Sequence, residues 1–166
     1  MCEHCGCRGV PPIAELMDEH LALLDEAHRV RRTLGAGDRA GAFAQLGELV
    51  RHLSRHVRRE EDGIFAALRA DGEYVDEVDQ LEGEHRGFDA AIADLDVDTP
   101  DLEARVARLL RELDDHVERE NLGIFPVSVV TLGATGWELV DRAHTETPTF
   151  LRDRAATGQL GALPGP

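Results

Sequence analysis

Apolar residues recur along this chain at spacings of three and four, the period of a helix with one buried face. From Ile13 the positions Leu16, His20, Leu23, Leu24 and Ala27 share such a face, apolar except for the histidine. They predict a first helix from Pro11-Pro12 to about Leu34, since proline is tolerated in a first turn where its missing N–H has no partner anyway. Gly35-Ala36-Gly37 supplies the stop, and Asp38 is the expected N-cap of the next helix. The second stripe, Leu46, Leu49, Leu53, His56, Glu60, Ile64 and Ala67, runs to about Ala70, before the turn signal Asp71-Gly72. A third, from about Glu73, carries Val78, Leu81, His85, Phe88 and Ile92. Thr99 before Pro100 reads as the N-cap of a fourth, Val106, Leu109, Leu113, His116, Glu120, Ile124 and Val127. Pro126 is expected to bend or interrupt that helix. After a break between Gly133 and Gly136, Trp137 to about Arg154 predicts a short fifth helix that Pro148 divides.

With no strand pattern, these elements predict an all-α fold, an up-down antiparallel four-helix bundle with a short extra C-terminal helix. The bundle takes residues 11–156, between a Cys/His-rich tail over 1–10 and a disordered tail over 157–166.

The second and fourth stripes are copies. His56-Val57-Arg58-Arg59-Glu60-Glu61-Asp62-Gly63-Ile64-Phe65 recurs 60 positions later as His116-Val117-Glu118-Arg119-Glu120-Asn121-Leu122-Gly123-Ile124-Phe125. The offset holds for every apolar member of the two stripes, so the duplication is longer than the decamer.

Composition narrows the partners. The formal charge of −15, from 18 basic and 33 acidic residues, repels nucleic acid and anionic lipid surfaces. No apolar run reaches transmembrane length and the N-terminus has no apolar signal core, so a cytoplasmic location is the default expectation. All three cysteines lie within the first seven residues, where structural disulfides are not expected in a reducing compartment.

The chemistry lies inside the apolar stripes. His56 and Glu60, four residues apart, project from neighbouring turns about 6 Å apart along the axis, and His116 and Glu120 repeat this. An unpaired carboxylate on a buried face costs several kcal/mol, so a compensating charge is required. His20 and His85 sit in the other two stripes, each preceded by a glutamate (Glu19, Glu84). Four inward imidazoles and two inward carboxylates suit iron ahead of zinc or manganese, and the duplication makes a two-metal site the natural expectation. The bland alternative has each histidine hydrogen-bonded in the core and each glutamate paired with Arg58, Arg59 or Arg119; six residues in register across four helices weigh against it. Glu61, on the outward side, is expected to be dispensable.

This pattern, His20, His56-x-x-x-Glu60, His85, then His116-x-x-x-Glu120 with the following Gly-Ile-Phe-Pro, resembles the hemerythrin-like (HHE) family of non-haem di-iron proteins from about Ile13 to Val130. Its spacing differs from the Glu-x-x-His of ferritin-like di-iron proteins. The resemblance implies two iron ions in an oxo- or hydroxo-bridged centre, with Glu60 and Glu120 as bridging ligands and His20, His56, His85 and His116 as terminal ones. It further implies a small oxidant as ligand (O2, hydrogen peroxide or nitric oxide), a role in oxidative or nitrosative stress, and an electron-donor protein as partner. Whether the task is binding or turnover of a peroxidase-, catalase- or nitric-oxide-reducing kind stays open, as does the choice between monomer and homodimer.

Three features depart from the pattern. Oxygen-carrying hemerythrins have a fifth histidine one turn before that of the third helix, where this chain has Leu81; the gap favours reaction with an oxidant over reversible carriage. His52, one turn before His56, is a candidate substitute ligand, as is Glu112, its counterpart in the second copy. Cys2, His4, Cys5 and Cys7 form a candidate separate or transfer metal site, since thiolate and imidazole both bind soft or borderline metals. That cluster supports an alternative reading as a redox sensor or iron-handling module, and a structural, redox-inert zinc bundle is a third. His28 is expected at the surface, and His144 and Tyr74 have no assigned role.

Overall fold

The computed structural model describes residues 6–156, which are all-helical, with no strand among the described residues. A short 3₁₀ turn, Cys7–Gly9, leads into α1 (Pro11–Gly35), whose two prolines lie in its first turn. Next comes α2 (Arg39–Glu60), capped by the Asp38 carboxylate accepting from the Gly41 N–H at 2.8 Å. The helix passes through one wide π turn (Glu61–Phe65) into α3 (Ala66–Asp71), and Gly72 ends it in the left-handed conformation, φ 73°. After α4 (Val75–Ala93) and α5 (Leu102–Arg119), a second π turn (Glu120–Ile124) leads into α6 (Phe125–Thr131). The chain then forms α7 (Ala134–Glu146) and α8 (Leu151–Ala156), separated at Pro148 as expected. No helix among the described residues is long and apolar enough to cross a membrane.

Two local expectations are corrected. Thr99 is not the N-cap of α5. Asp101 holds that position, while the Thr99 hydroxyl accepts from the Asp96 N–H at 2.9 Å, closing the preceding turn. Pro126 is also not what interrupts the fourth stripe. The wide turn occurs in both copies, although the first has Ala66 where the second has proline. Its mark is the bond spanning five residues, Ala66 N–H to the Glu61 carbonyl in one copy and Phe125 N–H to the Glu120 carbonyl in the other. Such single turns absorb one extra residue and rotate everything after them, which keeps Ile64-Phe65 and Ile124-Phe125 buried behind the two glutamates.

The core has two apolar lobes. One contains Leu23, Leu46, Leu49, Leu53, Phe88, Leu109, Leu113 and Phe150. The other contains Ile13, Leu16, Ile64, Phe65, Val78, Leu81, Ile124, Phe125 and Val140. On each of four helices the stripe crosses from one lobe to the other at its histidine: Leu16 to Leu23 across His20, Leu53 to Ile64 across His56-Glu60, Leu81 to Phe88 across His85, and Leu113 to Ile124 across His116-Glu120. A polar layer is therefore held between two greasy ones.

Candidate metal centre

Within that layer the structure brings together all six residues singled out above, each at most 3% exposed. They form two groups compact enough to hold a cation, His20, His56, Glu60 and Glu120 on one side, and His85, His116, Glu60 and Glu120 on the other. Both carboxylates belong to both groups. His56 Nε2 lies 3.0 Å from Glu60 Oε1, and His116 Nε2 lies 3.1 Å from Glu120 Oε1, so each four-residue spacing closes within its own helix. His20 Nε2 reaches Glu120 Oε2 at 3.1 Å and Glu60 Oε1 at 3.5 Å, while His85 Nε2 stands 3.6 Å from Glu60 Oε2 and 3.8 Å from Glu120 Oε1.

The ring orientations follow from what lies behind them. Every outward nitrogen has a partner: His56 Nδ1 donates to Glu19 Oε2 at 2.7 Å, His116 Nδ1 to Glu84 Oε2 at 2.7 Å, His85 Nδ1 to Glu61 Oε1 at 2.8 Å and His20 Nδ1 to Asn121 Oδ1 at 3.0 Å. A proton held on Nδ1 leaves the Nε2 lone pair aimed inward, the arrangement in which carboxylates fix metal-binding imidazoles. Phe125 stacks on His20 with ring centres 5.4 Å apart, and Phe65 on His85 at 5.8 Å, so the aromatic of each repeat braces the isolated histidine of another helix.

The inward atoms are mostly left over. His20 Nε2, His56 Nε2 and all four carboxylate oxygens of Glu60 and Glu120 are buried without a hydrogen bond. Buried polar atoms are normally satisfied, and six such atoms converging on one small volume fit a bound cation. The electrostatics agree. Burial raises the Glu120 carboxyl and so does Glu60, yet His116 and His20 bring it down to about 2; Glu60 is likewise held well below its ordinary value, against burial, by His56 and His20. Burial opposes charge on His56 and His116, but Glu60 and Glu19 lift the first to about 10, and Glu120, Glu60 and Glu84 lift the second to about 9.

Sequence reasoning noticed Glu19 and Glu84 beside their histidines but gave them no task. The signal was the Glu-His pair repeated on both isolated helices. Glu61 is corrected outright: it supports the His85 ring and is not an idle outward residue. The arginines pair with the supporting carboxylates rather than with Glu60 or Glu120. Arg59 Nη1 donates to Glu19 Oε1 at 2.7 Å, and Arg119 Nη2 to Glu84 Oε2 at 2.7 Å.

Other candidates lie elsewhere. His52 is buried, but its Nδ1 sits 2.9 Å from Glu26 Oε1 and its ring stacks on Phe150, so it belongs to neither group. Glu112 is exposed and faces Arg108 at 3.9 Å. Cys7 is buried in the second lobe and disulfide-bonded, against the expectation that the cysteines form no structural disulfide. Cys2, His4 and Cys5 lie outside the described residues, as does the 157–166 tail. His28 is exposed as expected.

A family model described as the hemerythrin HHE cation binding domain matches residues 11–128, which contain all six inward residues. No curated protein and no solved structure matches the chain.

Proposed function

Because the chain belongs to the hemerythrin HHE cation-binding family, we propose that its polar layer holds two iron ions and engages a small oxidant, O2, hydrogen peroxide or nitric oxide. The observation that carries this reading is the pair of shared, buried carboxylates whose four oxygens have no hydrogen bond. We assign His20 and His56 to one ion, His85 and His116 to the other, and Glu60 and Glu120 to both. Bound there, an iron pair would supply the electrons for reducing such an oxidant.

The protein's own contribution is placement and exclusion. Four outward hydrogen bonds hold the imidazole lone pairs inward, two phenylalanines keep the rings from turning, and the lobes above and below shut out bulk water. Access is unequal. Leu81 stands one turn before His85, and beside it Tyr74, Gln80, Arg119, Ile124 and Val127 line a cavity of about 310 Å³. This is the side we assign to the incoming oxidant. The up-down antiparallel order is part of the same reading, supported by the way successive helices cross between the lobes in alternate senses.

Metal analysis of the purified chain, with optical spectra before and after peroxide or nitric oxide, tests the reading. Two irons per chain and a spectral change are expected; absence of iron after reconstitution, or a spectrum indifferent to all three oxidants, overturns it.

A further inference from the structure

The helices α7 and α8 lie beyond the family match, yet α7 reaches back to the centre. It crosses the first π turn closely enough that a Cβ on Gly63 would lie 3.5 Å from that of Ala143. From this helix His144 Nδ1 meets Arg59 Nη2 at 2.8 Å. Arg59 is 0% exposed and also donates to Glu15 and Glu19. Glu19 in turn accepts from His56 Nδ1. Resting on the metal reading above, we propose that His144 is a positioning residue of the metal centre, holding Arg59 in the orientation that fixes Glu19 and hence the His56 ring.

The chemistry of each contact supports this. Burial and the adjacent Arg59 charge push His144 down to about 4, so near neutrality its ring is uncharged and Nδ1 offers a lone pair to the guanidinium. Its Nε2 is buried and makes no hydrogen bond, so the ring is not kept in place by another polar partner on that edge. Without this acceptor, Arg59 Nη2 keeps only Glu15, and a guanidinium drawn further out toward Asp141, which lines the adjoining cleft with Glu15, His144 and Arg152, releases Glu19. The second copy has no such brace. Arg119 makes the corresponding bond to Glu84 but is 46% exposed.

The test compares the full chain with His144→Ala and His144→Gln, the latter restoring an acceptor of similar reach. In metal-free, nitrogen-15-labelled protein, the Ala variant is expected to move the His56 ring resonances and leave those of His116 in place. After loading with zinc, one of the two ions should be lost to chelator about tenfold faster in the Ala variant, the lower end for disturbing a ligand's support. The Gln variant should return both readouts toward wild type. Unchanged His56 resonances and extraction in the Ala variant overturn the proposal, as does equal disturbance of His56 and His116 or a Gln variant no better than Ala. A wild type that takes up no metal sinks the metal reading and the proposal with it, whereas a metal-holding wild type matched by the Ala variant sinks the proposal alone.

Discussion

The two copies of the decamer build the same inner face and different outer ones. In the first, Arg59 is sealed among Glu15, Glu19 and His144, and α7 covers the turn that follows. In the second, Arg119 is half exposed and lines the cavity beside Leu81. The duplication thus repeats the inward histidine and glutamate, and the sequence around each copy decides how far its arginine is covered. The first half is closed over its arginine and the second is open there.

The largest effect should ignore this difference, because Glu60 and Glu120 belong to both halves. Glu60→Ala or Glu120→Ala is expected to remove both metals, and to destabilise the metal-free chain by about 3–5 kcal/mol by stranding buried charged imidazoles. Metal content and urea unfolding check this; loss of one ion only would mean the carboxylates are not shared.

Acid and alkali should also act on both halves together. His56 and His116 are raised to about 10 and about 9 from 6.5, so their contribution is complete below pH 6.5 and lost as pH rises through those values. Glu120 is lowered to about 2 from 4.5, so its contribution is present above pH 4.5 and lost as pH falls through 2. His144, held down at about 4, destabilises the fold below 6.5, so the metal-free chain should melt highest near pH 6.5, and loading should release protons, since metal takes their place on the rings. Calorimetric melts across pH, and zinc titrations in buffers of different ionisation enthalpy, measure both. A metal-free melting temperature that still rises between pH 7 and 10 would contradict the assignment.

The halves should separate at their arginines. Arg59→Ala leaves Glu19 buried beside His56 and is expected to cost about 3 kcal/mol, while Arg119→Ala removes a half-exposed pair and should cost less than about 1 kcal/mol. Equal unfolding midpoints for the two variants would erase the contrast between a sealed and an open half.

Periodicity made the inner face legible. Each of the six inward residues occupies an apolar stripe, and position i+4 on a helix is a neighbour whatever else the chain does. The family match and the all-helical structure followed from that pattern. The supporting roles were not legible, because Glu19, Glu84 and Glu61 lie one residue away from a stripe position and look like the solvated charges that fill any helix surface. Only the way the helices cross brings Glu19 to His56, 37 positions away, and Asn121 to His20, 101 positions away. The π turns were hidden for a related reason: one extra residue in a turn leaves the apolar count unchanged and alters only its phase. Arg59 and His144, 85 positions apart, had no common pattern to betray them.

The finest contrast is the one place where the decamers differ behind the ligands. Position 61 is glutamate and its counterpart, position 121, is asparagine; the first supports His85 and the second His20. A carboxylate acceptor makes the imidazole a stronger donor to its metal than an amide oxygen does. The His85 and His116 pair therefore has two carboxylate-backed rings, and the His20 and His56 pair has one, with Glu19 further shared by Arg59. Glu61→Gln should make the two halves alike, narrowing the difference between their chelator extraction rates by about tenfold, and Asn121→Glu should do so from the other side. Because Glu61 is 36% exposed, neither change should move the unfolding midpoint of the metal-free chain by more than a few tenths of a kcal/mol. If Glu61→Gln instead left both extraction rates where they were, the inequality of the halves would rest on burial and access alone, and the substitution of asparagine for glutamate in the repeat would carry no functional weight.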